Sequence, residues 1–213
     1  MRQTQRENMG MLMPNIDGQP GSVVSAYWMT PVVKRAYTNS QATVKTFTAP
    51  KSGVITVACG QDKFGQIGGK ITQSRIVLDK GDGSGTKQIW PMNGNYFEMN
   101  VGKLTYTFEP FSIHIQQGDM LHFEVIGSPD NNDGDVWERV YWDPKITYSA
   151  PGDTYQASKA FNTSRNGDPF WNWQYYDLDE RVYRDLTGTN ASISGFSGSG
   201  QAGAAWIIAD YGS

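Results

Sequence analysis

Between residues 43 and 148, apolar and polar positions alternate in short runs that turn residues interrupt. Thr43 to Thr48 is such a run; Ala49, Pro50, Lys51, Ser52 and Gly53 then form a turn, and Val54 to Cys59 alternates again. Further runs cover Ile71 to Leu78, Lys87 to Trp90, Lys103 to Phe108, Phe111 to Ile115, Met120 to Ile126 and Val140 to Tyr148. Breaks fall at Gly68-Gly69, at Lys80 to Gly85, at Asn93-Gly94 and at Gln117-Gly118-Asp119. A period of two marks strands with one buried face. Roughly eight such strands at this spacing predict an all-β fold, an antiparallel two-sheet β-sandwich of jelly-roll type.

The alternation also assigns faces. In Met120 to Val125 it turns Leu121, Phe123 and Val125 inward and leaves His122 and Glu124 outward. In Phe111 to Ile115, Ser112 and His114 point away from the apolar side. After Pro151-Gly152-Asp153 the pattern lapses, so residues 1–149 read as the sandwich body and 150–160 as a linker. Residues 161–213 hold a dense aromatic group, Phe161, Phe170, Trp171, Trp173, Tyr175 and Tyr176, followed by a Gly/Ser-rich tail. They read either as the start of a second repeat or as strands completing the same sandwich.

Composition narrows the partners. Charged residues are 18% of the chain and the net charge is −3, without the Lys/Arg density that a phosphate backbone requires, so nucleic acid is not expected. The apolar runs are strand-sized, which argues against membrane insertion by a helix. Met1 to Asn8 has no apolar segment behind it and reads as the start of a fragment. The single cysteine, Cys59, lies in an alternating run and reads as a buried structural thiol.

Three segments carry a family likeness. The first is Ala42 to Val54, with its Ala49-Pro50 and Gly53 turn; the second runs from Gly68 to Leu78 and on to Trp90-Pro91. The third joins Gly118-Asp119, Phe123 and Val125 to Trp142-Asp143-Pro144, Ile146 and Tyr148. Together they resemble a β-sandwich module found, often in tandem, in bacterial glycoside hydrolases, polysaccharide lyases and related surface proteins. Thr154 to Phe161, Trp171 to Asp177 and Val182 to Leu186 look like the opening of such a module, yet here they come after the closing Trp142-Asp143-Pro144 strand. A weak repeat, Gly21 to Trp28 beside Gly200 to Trp206, suggests one module's strands in permuted order. Residues 161–206 would then fold back onto 1–149, within one chain or as a strand-swapped homo-oligomer. The resemblance implies a secreted or cell-surface accessory module that binds a polysaccharide or oligosaccharide and attaches a degrading enzyme to it. A structural spacer or assembly domain fits the half-repeats equally well.

Sugar recognition needs flat rings to stack on pyranose faces, beside amide, carboxylate or guanidinium groups for the hydroxyls. The candidate rings are Trp137, Trp171, Trp173, Tyr175, Tyr141 and Trp28, with Tyr27, Trp90, Tyr96 and Phe97 given less weight. On a strand, Trp171, Trp173 and Tyr175 share one face and Phe170, Asn172, Gln174 and Tyr176 the other; one of the two faces can equally be core. Trp142 reads as structural. Asp130, Asn132, Asp133 and Asp135 are oxygen ligands suited to Ca²⁺, although the spacing is not that of an EF-hand, and a solvated Asx-rich turn explains them as well. His114 and His122 are the only histidines. No nucleophile stands beside an oriented base, and Asp135, Glu138 and Asp143 are close only in sequence, so a non-catalytic role is expected.

Overall fold

The computed structural model describes residues 23–24, 28–30, 41–58, 60–63, 71–100, 105–107, 109–127, 140–160, 169–178, 180–185, 188–190, 195–197, 199–200 and 203–204. The strands, in chain order, are β1 (Val23–Val24), β2 (Trp28–Thr30), β3 (Gln41–Thr48), β4 (Gly53–Ala58), β5 (Gly60–Lys63), β6 (Thr72–Asp79) and β7 (Thr86–Trp90). Next come β8 (Phe97–Met99), β9 (Thr105–Thr107), β10 (Phe111–Ile115), β11 (Met120–Gly127), β12 (Val140–Trp142), β13 (Lys145–Tyr148) and β14 (Thr154–Gln156). A four-residue helix, Ala157–Ala160, leads towards β15 (Trp171–Asp177) and β16 (Val182–Asp185). The short strands β17 (Gly188–Asn190), β18 (Gly195–Ser197), β19 (Ser199–Gly200) and β20 (Gly203–Ala204) complete the series.

The protein is an all-β, antiparallel β-sandwich. One layer has the order β16-β15-β3-β11-β6-β7, with β8 also paired to β6. The other layer joins the sheet β10-β4-β13-β14 to the sheet β17-β18-β1-β2-β12-β5-β9. They adjoin where β4 is followed by β5 and β12 by β13, and the register on the two sides agrees: Lys145 opposes Ala58 and Trp142 opposes Gln61. The adjoining pair slips by one residue, since Phe111 opposes Val57 while Thr107 opposes Gly60.

The core lies between the layers. From the first come Phe47, Ile76, Leu121, Phe123, Val125, Trp171 and Trp173; from the second, Ile55, Val57, Ile115, Trp142, Ile146 and Tyr148, all buried. Trp142 meets Phe123 edge-on at 5.6 Å, and Phe47 lies 5.3 Å from Trp171. A fully buried ring removes roughly 150–250 Å² from water, worth about 4–6 kcal/mol by area. Two polar contacts bridge the layers inside this core: Lys45 Nζ donates to the Trp142 carbonyl at 2.6 Å, and Ser74 Oγ donates to Gln61 Oε1 at 2.9 Å.

Turns are held by side chains that satisfy loop amides. Asp119, almost fully buried, accepts from Lys80 Nζ at 2.7 Å and from the amides of Gly81 and Gln116. The β6–β7 hairpin turn and the β10–β11 connection between the layers are thereby clasped by one carboxylate. Burial pushes its pKa up, but those donors together hold it below the usual carboxylate range. The clasp is tight, since a Cβ on Gly81 would sit 2.4 Å from the Gly118 carbonyl oxygen.

One expectation changes here. Residues 150–160 are not a linker: Thr154–Gln156 pairs with β13, and Ala157 is buried. Residues 171–177 pair with β3 along nearly its whole length, so this segment lies within the same sandwich. Cys59 lies outside the described residues.

Candidate functional site

The first layer has a second face, turned away from the core, and the strand registers order its residues into rows. One row runs Asp185, Gln174, Val44, Glu124, Arg75 across β16, β15, β3, β11 and β6. The next runs Asn172, Thr46, His122, Val77, Gln88. A third places Tyr183 beside Tyr176 at one end, and Ile126, Gln73 and Glu98 at the other. Ala42, Val44 and Ile126 form a small apolar floor against which Tyr96, Tyr176, Leu178 and Tyr183 pack.

Over this floor lies a stack of rings and one guanidinium. Arg75 sits 4.9 Å from the Tyr96 ring centroid and 5.9 Å from that of Tyr176. Tyr176 lies 4.6 Å from Tyr183, and Tyr183 stacks on His122 at 3.7 Å with only 10° between the planes. Glu124 organises the stack: one carboxylate oxygen accepts from Arg75 Nε at 2.6 Å, the other from the Tyr183 hydroxyl. Burial pushes the Glu124 carboxyl up, while the Arg75 charge and the Tyr183 hydrogen bond pull it back. Burial alone would lower Arg75, but the Glu124 charge and hydrogen bond outweigh it and raise the pKa. The Tyr183 phenol is raised far above its ordinary range by burial and by the neighbouring carboxylate.

His122 is fixed by a chain of donors. Asp185 can only accept, so Gln174 turns its Nε2 to that carboxylate at 2.8 Å and its Oε1 to Thr46. The Thr46 hydroxyl donates to Gln174 at 2.6 Å, and therefore accepts, at 2.8 Å, from His122 Nδ1–H. His122 Nε2 is left as a buried acceptor with no hydrogen-bond partner, 3.7 Å from Asp79 Oδ2. Burial, assisted by the Arg75 charge, lowers the His122 pKa to about 3, so the ring is neutral at ordinary pH. His122 and Glu124 do lie on the outward side of β11, but each is 1% exposed. The expectation that they face solvent is corrected, because Tyr183 covers them.

The candidate rings separate. Trp171, Trp173 and Tyr175 point into the core, at 1%, 0% and 9% exposure, and offer no ring face to a ligand; as members of a sugar platform they are corrected. Trp90 is likewise buried, against Phe97 and Tyr106. Tyr141 is half-buried in the other layer, with Trp28 as its register partner. Trp137 and Tyr27, and the calcium candidates Asp130, Asn132, Asp133 and Asp135, lie outside the described residues. Among the described residues no group of three or more His, Cys, Asp or Glu side chains is gathered to hold a metal. Asp143 accepts from Gln156 Nε2, Ser158 Oγ and the Ser158 amide, a structural role.

What sequence reasoning did not place in a site is the set Arg75, Glu124 and Tyr183. Alternation put Glu124 on the outer face, and the same rule places Arg75 there, between the inward Ser74 and Ile76. Nothing local to Tyr183 announces that it reaches across to β11. Comparison with protein-family models, with curated proteins and with solved structures gives no match for this chain.

Proposed function

We propose that the protein is a non-catalytic glycan-binding β-sandwich, and that the ligand lies on the outer face of the first layer. The observation that carries this is the half-buried Tyr96–Arg75–Tyr176–Tyr183 stack, on a sheet face that the core does not use. Aromatic edges and planes of this kind present apolar area at low entropic cost, which suits the C–H faces of sugars. Two exposed amide–carboxylate pairs flank the stack: Gln73 Nε2 donates to Glu98 at 2.9 Å, and Gln174 Nε2 to Asp185 at 2.8 Å. Each pair offers a donor and an acceptor side by side, as adjacent hydroxyls require. Binding is favoured over turnover because the groups suited to acid–base work, His122 and Glu124, are sealed under Tyr183. In this reading the module attaches a secreted polysaccharide-degrading enzyme to its substrate.

Affinity electrophoresis through gels containing soluble polysaccharides tests it. Tyr176→Ala and Tyr96→Ala should each abolish retardation while leaving the near-UV circular dichroism of the core tryptophans in place. If neither change alters retardation, the ligand does not lie on this face.

A second reading, an assembly or spacer domain, draws on a different observation. β1 pairs with β18, so the two ends of the chain share one sheet, and exchange of that pairing between copies would link them head to tail. Such a protein should oligomerise with concentration and be indifferent to sugar.

A further inference from the structure

The charges on this outer face bear on which glycans it can accept, a question that rests on the glycan-binding reading. We infer that this site selects uncharged, hydroxyl-rich polysaccharides and rejects polyanionic ones such as polyuronates and sulfated glycans.

Arg75 is the only cation that the registers place on this face among the described residues. Its charge is already met: Glu124 Oε2 lies 2.6 Å from Nε, and Tyr96 and Tyr176 flank the guanidinium. A ligand carboxylate would therefore have to compete with a carboxylate that is 1% exposed and also holds Tyr183. The guanidinium thus serves to hold the two rings and Glu124 together rather than as an anion receptor.

The remaining charges on the face are acidic. Glu98 and Asp185 are exposed, one at each side of the stack, and Asp79 is half-buried beyond His122. Each of the two exposed carboxylates has one oxygen engaged by its neighbouring glutamine. The other oxygen can accept from a sugar hydroxyl, and either carboxylate repels an anionic substituent laid along the stack. Gln174 and Gln73 stand three strand spacings apart across the sheet, and Asp185 and Glu98 one strand further out on either side, roughly 24 Å from each other, so the two acidic ends bracket an oligosaccharide rather than a single ring. At this spacing a uronate in each sugar would bring at least one anion close to Glu98 or Asp185. Ligand anions brought within about 6 Å of each of the two exposed carboxylates should together weaken a polyanion roughly ten-fold relative to a neutral chain of the same backbone at low salt. The penalty should shrink as salt screens it.

The test is affinity electrophoresis and titration calorimetry with the intact protein, at low and at high salt. The probes are neutral polymers (galactomannan, xyloglucan, mixed-linkage glucan) and anionic ones (alginate, polygalacturonate, carrageenan). Retardation by at least one neutral polymer, nearly independent of salt, with polyanions roughly ten-fold weaker or silent, is the expected result. In the double variant Glu98→Gln/Asp185→Asn, polyanion binding should rise several-fold. Polyanions that bind as well as or better than neutral chains overturn the charge selection and leave glycan binding standing. Polyanion binding that stays unchanged in the double variant overturns it too, since the acidic rim would not be its cause. Silence across all six polymers removes the glycan-binding reading, and the charge selection with it.

Discussion

The buried neutral imidazole of His122 should make the protein's stability depend on pH in a way that one substitution removes. In the folded state burial and the Arg75 charge hold the His122 pKa at about 3, against an ordinary value near 6.5 in the unfolded chain. Between those two values the unfolded chain binds a proton that the folded protein refuses. Stability is then fully present above about pH 6.5 and is lost as pH falls towards 3, at about 1.4 kcal/mol per pH unit. From pH 6.5 to pH 4 the loss from this one group is about 3 kcal/mol, or roughly 6–12 °C in Tm for a chain of this length. Glu124 acts with the opposite sign, because its raised pKa lets the fold keep a proton as pH rises past the ordinary carboxylate value, so absolute curves mix the two. The difference between wild type and His122→Phe isolates the histidine. Phenylalanine keeps the stack on Tyr183, and Thr46 keeps its bond to Gln174. The two proteins should be of similar stability at pH 7, and His122→Phe the more stable by about 3 kcal/mol at pH 4. Urea unfolding monitored by tryptophan fluorescence, at half-unit steps of pH, gives both curves. Parallel curves from pH 7 to pH 4 would refute the reasoning, since His122 would then titrate normally and could not be sealed.

The carboxylate of Glu124 should be worth most when removed outright. Glu124→Ala strands Arg75 and Tyr183 and should cost about 3–5 kcal/mol, whereas Glu124→Gln keeps a donor and an acceptor in place and should cost about 1–2 kcal/mol; chemical denaturation of the two variants checks the order. Gly81→Ala should destabilise by about 1–3 kcal/mol, because its Cβ would meet backbone of Gly118 at 2.4 Å; a Tm unchanged in calorimetry would show that the two turns can separate at no cost.

The alternation rule read β11 correctly: Leu121, Phe123 and Val125 are core, and His122 and Glu124 are opposite. It could not say that the opposite side is buried, because the cover arrives from Tyr183, some sixty residues later. Strand periodicity fixes which face a side chain is on; the cover over that face depends on long-range pairing. The same limit explains the aromatic segment. Its two faces were separable from the sequence, but the choice of Trp171, Trp173 and Tyr175 as core comes from β15 pairing with β3. That register sets Trp171 beside the inward Phe47. The turn residues before Thr154 read as a break, and they are a turn. Thr154–Gln156, just beyond them, pairs as a strand because β13 offers it an edge.

One strand thus serves both sides of the sheet, and this bears on whether residues 1–149 could stand alone. Facing inward, β15 gives Trp171 and Trp173 to the core; facing outward, it gives Gln174 and Tyr176 to the candidate site, and its partner β16 adds Tyr183 and Asp185. Removing everything after residue 149 would take two fully buried indoles from the core, about 8–12 kcal/mol by area. That equals the whole stability of a typical domain, about 5–15 kcal/mol. It would also leave the long strand β3 as an unpaired edge beside an opened core, a surface prone to aggregation. A chain ending at Ser149 should therefore be unfolded or insoluble. A peptide covering residues 150–190, supplied in trans, should restore near-UV circular dichroism and cooperative unfolding. If the shortened chain is instead a soluble monomer that unfolds cooperatively without the peptide, β15 is an appendage to the sandwich and its outer face is no fixed part of the fold.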